Sequence, residues 1–198
     1  MRVVLATGNP GKLQELRAML EPLAIEVAPI SQFTRTAVPE TGLTFVENAI
    51  IKARHAAQLA KLPAIADDSG LEVDALHGAP GIYSARYAGE HASDEENLRK
   101  LLATLSGRKA AERTARYCCA LVYMRWETDP FPLISQASWE GRIAETPRGS
   151  GGFGYDPIFE LPQRAITVAE LPAEEKNQLS HRGQALRGLV AQLQREVG

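Results

Sequence analysis

Cysteine is nearly absent from this chain: Cys118 and Cys119 are the only two, adjacent in a segment of strand character. Neighbouring strand residues point to opposite faces, so the pair suits neither a disulfide framework nor a zinc site, and a reducing, cytoplasmic setting is expected. Neither sign of charge is in excess, since 22 Lys and Arg against 24 Asp and Glu leave a net charge of −2. That balance excludes the basic footprint of a nucleic-acid binder and the polybasic patch of a membrane-surface protein. An anionic ligand would have to be met by a few placed cations and backbone amides. Long apolar runs are missing too: Val3-Val4-Leu5-Ala6, near the amino end, is too short for a signal peptide or a membrane span. There are no repeats, low-complexity tracts or obvious linker. With 44% apolar and 23% charged residues, residues 1–198 are expected to form a single domain.

What is present begins with a strand, a loop and a helix: Arg2 to Ala6, then Thr7-Gly8-Asn9-Pro10-Gly11-Lys12, then a face marked by Leu13, Leu16 and Leu20. A glycine-containing loop between strand and helix offers amides and the positive end of the helix dipole to an anion, although it is also an ordinary connector. Lys12 at a helix start is mildly unfavourable for the helix, which favours a ligand role. The spacing is not that of a Walker A loop, because Leu13 follows the lysine. Ala24 to Ala28 reads as a second strand, and Pro39-Glu40-Thr41-Gly42 as a turn carrying one carboxylate. Thr44 and Glu47 form a capping box for a helix to about Lys61, whose Phe45, Ala49, Ala53, Ala56, Ala57 and Ala60 make a narrow apolar stripe. Asn48 and Lys52, on neighbouring turns of that helix, could reach a polar site, although solvent exposure is the commoner outcome.

Pro63-Ala64-Ile65-Ala66-Asp67-Asp68-Ser69-Gly70 is the stretch around which the chain is organised. An apolar strand runs into adjacent carboxylates, where ligands of α/β folds commonly sit. By itself it reads equally as a polar turn. Alternation prevents Asp67 and Asp68 from reaching one site unless the chain bends, so a turn at Ser69-Gly70 is expected, followed by a half-exposed strand from Leu71 to Leu76. Ser93 with Glu96 caps another helix; a long strand from Thr114 to Trp126 and its return from Leu133 to Glu140 follow. Gly149, Gly151, Gly152 and Gly154 then require backbone freedom or close approach around Phe153, which reads as a core anchor or as a platform for a flat ligand. The tail carries a capping box at Thr167 and Glu170, a helix after Pro172, and a final helix from Ser180 with Leu186, Leu189, Val190, Leu193 and Val197 inward. His181 and Arg182 fall in its first turn, where cations are disfavoured unless a ligand uses them.

Taken together, these residues fit a nucleoside triphosphate with Mg²⁺: carboxylates for a hard cation, Lys12 and amides for phosphates, Phe153 with His181 and Arg182 for a base. The blocks Ala6 to Lys12, Glu40 to Ala49, Ile65 to Leu71, Gly78 to Tyr87, Gly151 to Phe159 and Ser180 to Leu186 strongly resemble the inosine triphosphate pyrophosphatase family, in family order across nearly the whole chain. The resemblance implies an α/β fold with an elongated mixed sheet flanked by helices, two lobes and a cleft between them. It implies hydrolysis of ITP, dITP and XTP to the monophosphate and pyrophosphate, Mg²⁺ dependence and a homodimer. By position, it makes Asp68 the proton acceptor and, with Glu40, a metal ligand. It places Thr7, Gly8, Asn9, Pro10, Gly11 and Lys12 on the phosphates beside Ser69. Phe153, Gly154, Tyr155, Asp156, Lys176, His181 and Arg182 form the nucleobase pocket, and the opposite-face argument leaves Asp67 structural or in support of the residues that touch the substrate. A nucleotide-binding module without turnover is disfavoured by the intact Glu40 and Asp68, and an aspartyl-phosphate phosphatase by the lack of Asp-x-Asp spacing.

Overall fold

A computed structural model describes residues 1–197, with side chains through Arg195. In chain order its elements are β1 (Arg2–Leu5), α1 (Pro10–Leu20), β2 (Glu26–Pro29), α2 (Phe45–Ala60), β3 (Ala64–Val73), β4 (Pro80–Gly81), α3 (Asp94–Thr104), β5 (Thr114–Met124), β6 (Leu133–Ile143), β7 (Phe159–Leu161), β8 (Ile166–Thr167), α4 (Ala173–Leu179) and α5 (His181–Val197). They fall into two compact units, one from residues 1–68, 119–137 and 181 onward, the other from 69–118 and 138–180. Among the described residues no helix is long and apolar enough to cross a membrane. The expected mixed sheet flanked by helices is what forms.

In the first unit the strand order is β2-β1-β3-β5-β6, with β1 parallel to both β2 and β3. Strand alternation sorts its core into two layers. Val3, Leu5 and Ile65 pack with Leu16 and Leu20 of α1 and with Leu186, Leu189 and Leu193 of α5. Val4, Ala64 and Ala66 face the other way, onto Ala49, Ala53, Ala56 and Ala57 of α2. The alanine stripe lets α2 approach the sheet closely, while each buried Leu or Ile contributes about 1.5–3 kcal/mol. Val197, expected inward on α5, lies outside the described side chains.

In the second unit the order is β3-β5-β6-β7-β8, and β4 pairs antiparallel with β3. Leu71, Val73, Tyr117, Ile143 and Phe159 of the strands pack with Leu98 and Leu101 of α3 and with Leu105 at its C-cap. Tyr117 and Phe159 have ring centroids 4.3 Å apart. The capping boxes expected at Thr44–Glu47, Ser93–Glu96 and Thr167–Glu170 are all made, the last around a 3₁₀ turn.

One expectation is corrected. The chain does not turn at Ser69-Gly70; β3 runs unbroken through both acids to Val73. Charged residues can stay in a buried strand when each finds a cation on its own side, and both do.

Candidate active site

Strand β3 delivers its two carboxylates to opposite faces of the first unit. Asp67 shares the face of Ile65 with α1 and α5, and Asp68 shares that of Ala64 and Ala66 with α2. Because β1 pairs with β3 at Leu5↔Ile65, the loop after β1 leaves the sheet beside both acids. In that loop Asn9 caps α1, its Oδ1 accepting from the Lys12 amide at 3.0 Å, and Thr7 Oγ1 accepts from the Asn9 amide at 3.2 Å. Pro10 opens the helix, and Gly8, Asn9 and Pro10 are exposed while Lys12 is largely covered. The cap thus fixes the loop with its outer surface toward solvent.

On the α1 and α5 face, Lys12 Nζ lies 2.5 Å from Asp67 Oδ1. Arg182 Nε donates to Asp67 Oδ2 at 3.0 Å, and the Cys119 thiol donates to the same oxygen at 3.2 Å. The Arg182 guanidinium also pairs with Glu15. Burial opposes the charge on Asp67, but Arg182 and Lys12 outweigh it and hold the carboxyl well below the usual range. The dipole cost of placing Arg182 in a first helical turn is offset by these two carboxylates. His181 beside it is buried as well.

On the α2 face, Lys52 Nζ bridges two carboxylates, 2.7 Å from Asp68 Oδ1 and 3.1 Å from Glu40 Oε1. Burial pushes Lys52 down, but Asp68 and Glu40 more than compensate, so it stays charged. Asp68 behaves oppositely: burial raises its carboxyl above the ordinary value, only partly offset by Lys52 and Lys12. Its Oδ2 is buried and has no hydrogen-bond partner. The turn bearing Glu40 is pinned to α2, with the Gly42 amide donating to Asn48 Oδ1 at 2.8 Å. A Cβ on Gly42 would stand 2.5 Å from Glu47 Cβ, so that approach needs glycine. Of the two outcomes open to Asn48 and Lys52, the polar site is the one realised: Asn48 is fully buried against the Gly42 amide, and the Lys52 side chain is 14% exposed because Asp68 and Glu40 draw it inward.

The second unit holds the other expected residues. Asp156 is buried and its carboxylate accepts from Lys176 Nζ at 2.7 Å, the Tyr117 hydroxyl at 3.0 Å and the Phe153 amide at 2.9 Å. Lys176 Nζ stands 4.6 Å above the Phe153 ring centroid, a cation–π contact on a half-buried ring. Gly152 has φ +73°, and a Cβ there would lie 2.0 Å from Asp156 Oδ2. Gly149, at φ +77°, backs onto the Ala169 main chain. Tyr155 is buried with its hydroxyl on Ser84 O at 2.8 Å, Gly154 has φ +60°, and Ser69 is partly buried at the start of this unit.

So Lys12, Asp67 and Arg182 come together, as do Glu40 and Asp68, and Phe153, Asp156 and Lys176. Residues to which sequence reasoning gave no role are Glu15, Cys119 and Tyr117, whereas Lys52 was noted as able to reach a polar site from the turn after Asn48. Glu15 had a signal, standing three residues after Lys12 on one helix face. Cys119 and Tyr117 act from the middle of β5, where nothing local marks them. Among the described residues, no group of three or more His, Cys, Asp or Glu is arranged to hold a metal; Glu40 and Asp68 are the carboxylate pair that could contribute to one.

An α/β protein that sets a capped strand–loop–helix turn beside paired strand acids belongs, as a class, with proteins that bind phosphorylated ligands. The chain is a member of the Ham1 family, whose model matches residues 3–192. It is 60% identical to a dITP/XTP pyrophosphatase of Vibrio parahaemolyticus over 192 residues, 97% of this chain and 96% of that one. A dITP/XTP pyrophosphatase of Thioalkalivibrio sulfidiphilus is 57% identical over 194 residues, covering 98% and 99%. The solved HAM1 protein of Coxiella burnetii superposes with a TM-score of 0.89 at 50% identity, covering 98% of this chain and 99% of that one. The family expected from the sequence blocks is therefore the family found.

Proposed function

We propose that this protein is a nucleoside-triphosphate pyrophosphohydrolase that converts dITP, ITP and XTP to the monophosphate and pyrophosphate, clearing deaminated purines from the nucleotide pool. The observation that carries the chemistry is Asp68: one oxygen is held by Lys52, the other is buried, without a partner, and belongs to a carboxyl whose proton affinity is raised. That is the condition of a general base waiting for a water. Water attacks the α-phosphorus, Asp68 Oδ2 takes its proton, and pyrophosphate leaves. Lys12 and the loop from Thr7 to Gly11 bind phosphate oxygens, the loop through amides other than those of Pro10, which has none, and Asn9, which donates to Thr7 Oγ1, and Ser69 does the same.

The donor set of Glu40 and Asp68 fits Mg²⁺, a hard cation that keeps several waters and takes the rest of its oxygens from phosphates. The negative charge that both acids already share through Lys52 supports that fit. When bound, Mg²⁺ would neutralise charge developing on the triphosphate. Phe153, Gly154, Tyr155, Asp156, Lys176, His181 and Arg182 form the base pocket. A 6-oxo purine accepts hydrogen bonds from such donors, whereas adenine presents an amino group and leaves buried donors unpaired. The enzyme works as a single domain of residues 1–198, since β3, β5 and β6 each run through both units, and as a cytoplasmic homodimer without nucleic acid or membrane partners. Substituting Asp68→Asn tests the base: turnover of ITP should fall about 10²–10⁴-fold with nucleotide binding retained. Near-normal turnover would move the base elsewhere.

A further inference from the structure

The first unit spends one fully buried carboxylate on three donors from three elements. Asp67, 1% exposed, meets Lys12 of α1 through Oδ1, and Arg182 of α5 and Cys119 of β5 through Oδ2. A buried ion pair used only for stability gains little over apolar packing, so a carboxylate split between two cations calls for another account. Lys12 has three donors and spends one on Asp67, which holds its ammonium in place and leaves it able to meet phosphate oxygens. The Arg182 guanidinium is planar, and carboxylates on its Nε and Nη1, from Asp67 and Glu15, fix that plane. The gap between Lys12 and Arg182 is therefore set by the width of one carboxylate. Neither cation can shift without disturbing the other's partner.

We propose that Asp67 is a positioning residue that sets the spacing between the phosphate-binding Lys12 and the base-binding Arg182, and so couples the grip on the triphosphate to selection of the base. The inference rests on the nucleotide reading above. Asp67 touches no reacting atom; it acts through the two cations. A misplacement of about 1 Å in such groups costs on the order of 100-fold in rate.

The test is steady-state hydrolysis of ITP and ATP by Asp67→Asn, which keeps the volume and removes the charge. The kcat/KM for ITP should fall about 10–100-fold, and that for ATP, which shares the Lys12 grip but not the base contact, by several-fold less, so that the ITP:ATP ratio drops. A merely structural residue would lower both substrates alike by depleting folded enzyme, and an unchanged ratio overturns the proposal. In a Lys12→Met background Asp67→Asn should cost ITP several-fold less than it does in wild type, because one of the two cations whose spacing it sets is gone. Full additivity overturns it. Should Asp67→Asn fail to fold, Cys119→Ala removes one donor from the same carboxylate at little structural cost. The ITP:ATP ratio should then drop about 2–10-fold, and no change counts against the proposal. Wild-type protein that releases no pyrophosphate from ITP would overturn the functional reading instead. Asp67 would then be judged by calorimetric binding of ITP against ATP, where equal affinities in wild type and Asp67→Asn refute the coupling.

Discussion

Replacing Gly152 by alanine separates backbone strain from damage to the Asp156 anchor. Gly152 and Gly154 both sit in the left-handed region, at φ +73° and +60°, where an L side chain costs about 1–2 kcal/mol. Their surroundings differ. A Cβ at Gly154 meets nothing within 4 Å, while one at Gly152 lands 2.0 Å from Asp156 Oδ2 and 2.8 Å from Asp156 Cγ. The carboxylate must move, loosening its bonds from Lys176, Tyr117 and the Phe153 amide. Breaking a buried ion pair outright costs about 3–5 kcal/mol, so a partial displacement should add roughly 2–4 kcal/mol to the strain. With about 2–4 °C of Tm per kcal/mol for a chain of this size, Gly154→Ala should lower Tm by about 2–8 °C and Gly152→Ala by about 6–24 °C. Calorimetry of both variants, with ITP KM alongside, decides the matter. In an Asp156→Ala background the excess cost at Gly152 should vanish, since the clashing group is gone. Equal destabilisation by the two alanines, or an excess that survives removal of Asp156, would refute the reasoning.

Acid stability should report the β5–β6 hairpin. Asp129 accepts from Arg125 and the Phe131 amide, and the Arg125 guanidinium holds its carboxyl at about 2. A carboxyl depressed in the fold stabilises above the unfolded value near 3.8 and loses that contribution as pH falls through 2. Asp129→Asn should thus cost about 1–2 kcal/mol at pH 7 and almost nothing at pH 2, measured by denaturant titration. Both cysteines should resist alkylation in the native protein at pH 8. Burial pushes Cys118 up to about 12 and Cys119 well above the ordinary thiol, so mass spectrometry should find rapid labelling only in denaturant.

Much of the fold was legible because its signals are local. Capping boxes at Thr44, Ser93 and Thr167, the alanine stripe of α2 and the leucine face of α3 need only neighbours a few residues away. The opposite-face argument for Asp67 and Asp68 was also sound, and it sorted the pair onto different helices. What it missed was the path of β3, since local propensity reads Asp-Asp-Ser-Gly as a stop. The strand continues because Lys12, Arg182 and Lys52 neutralise the acids from positions 16 to 115 residues away, which local reading cannot foresee. Lys52 was left open between solvent and a polar site for the same reason: a lysine on a helix faces water unless distant carboxylates draw it in. Tyr117 and Cys119 carry no motif and acquire their roles only through the sheet.

In the proposed reaction a water prepared by Asp68 attacks the α-phosphorus. Hydrolysis of ITP in ¹⁸O-water with Mg²⁺, followed by mass spectrometry of both products, tests it directly. Attack at that atom places one ¹⁸O in the IMP phosphate and none in pyrophosphate. Label in pyrophosphate, or release of orthophosphate with IDP, would contradict it.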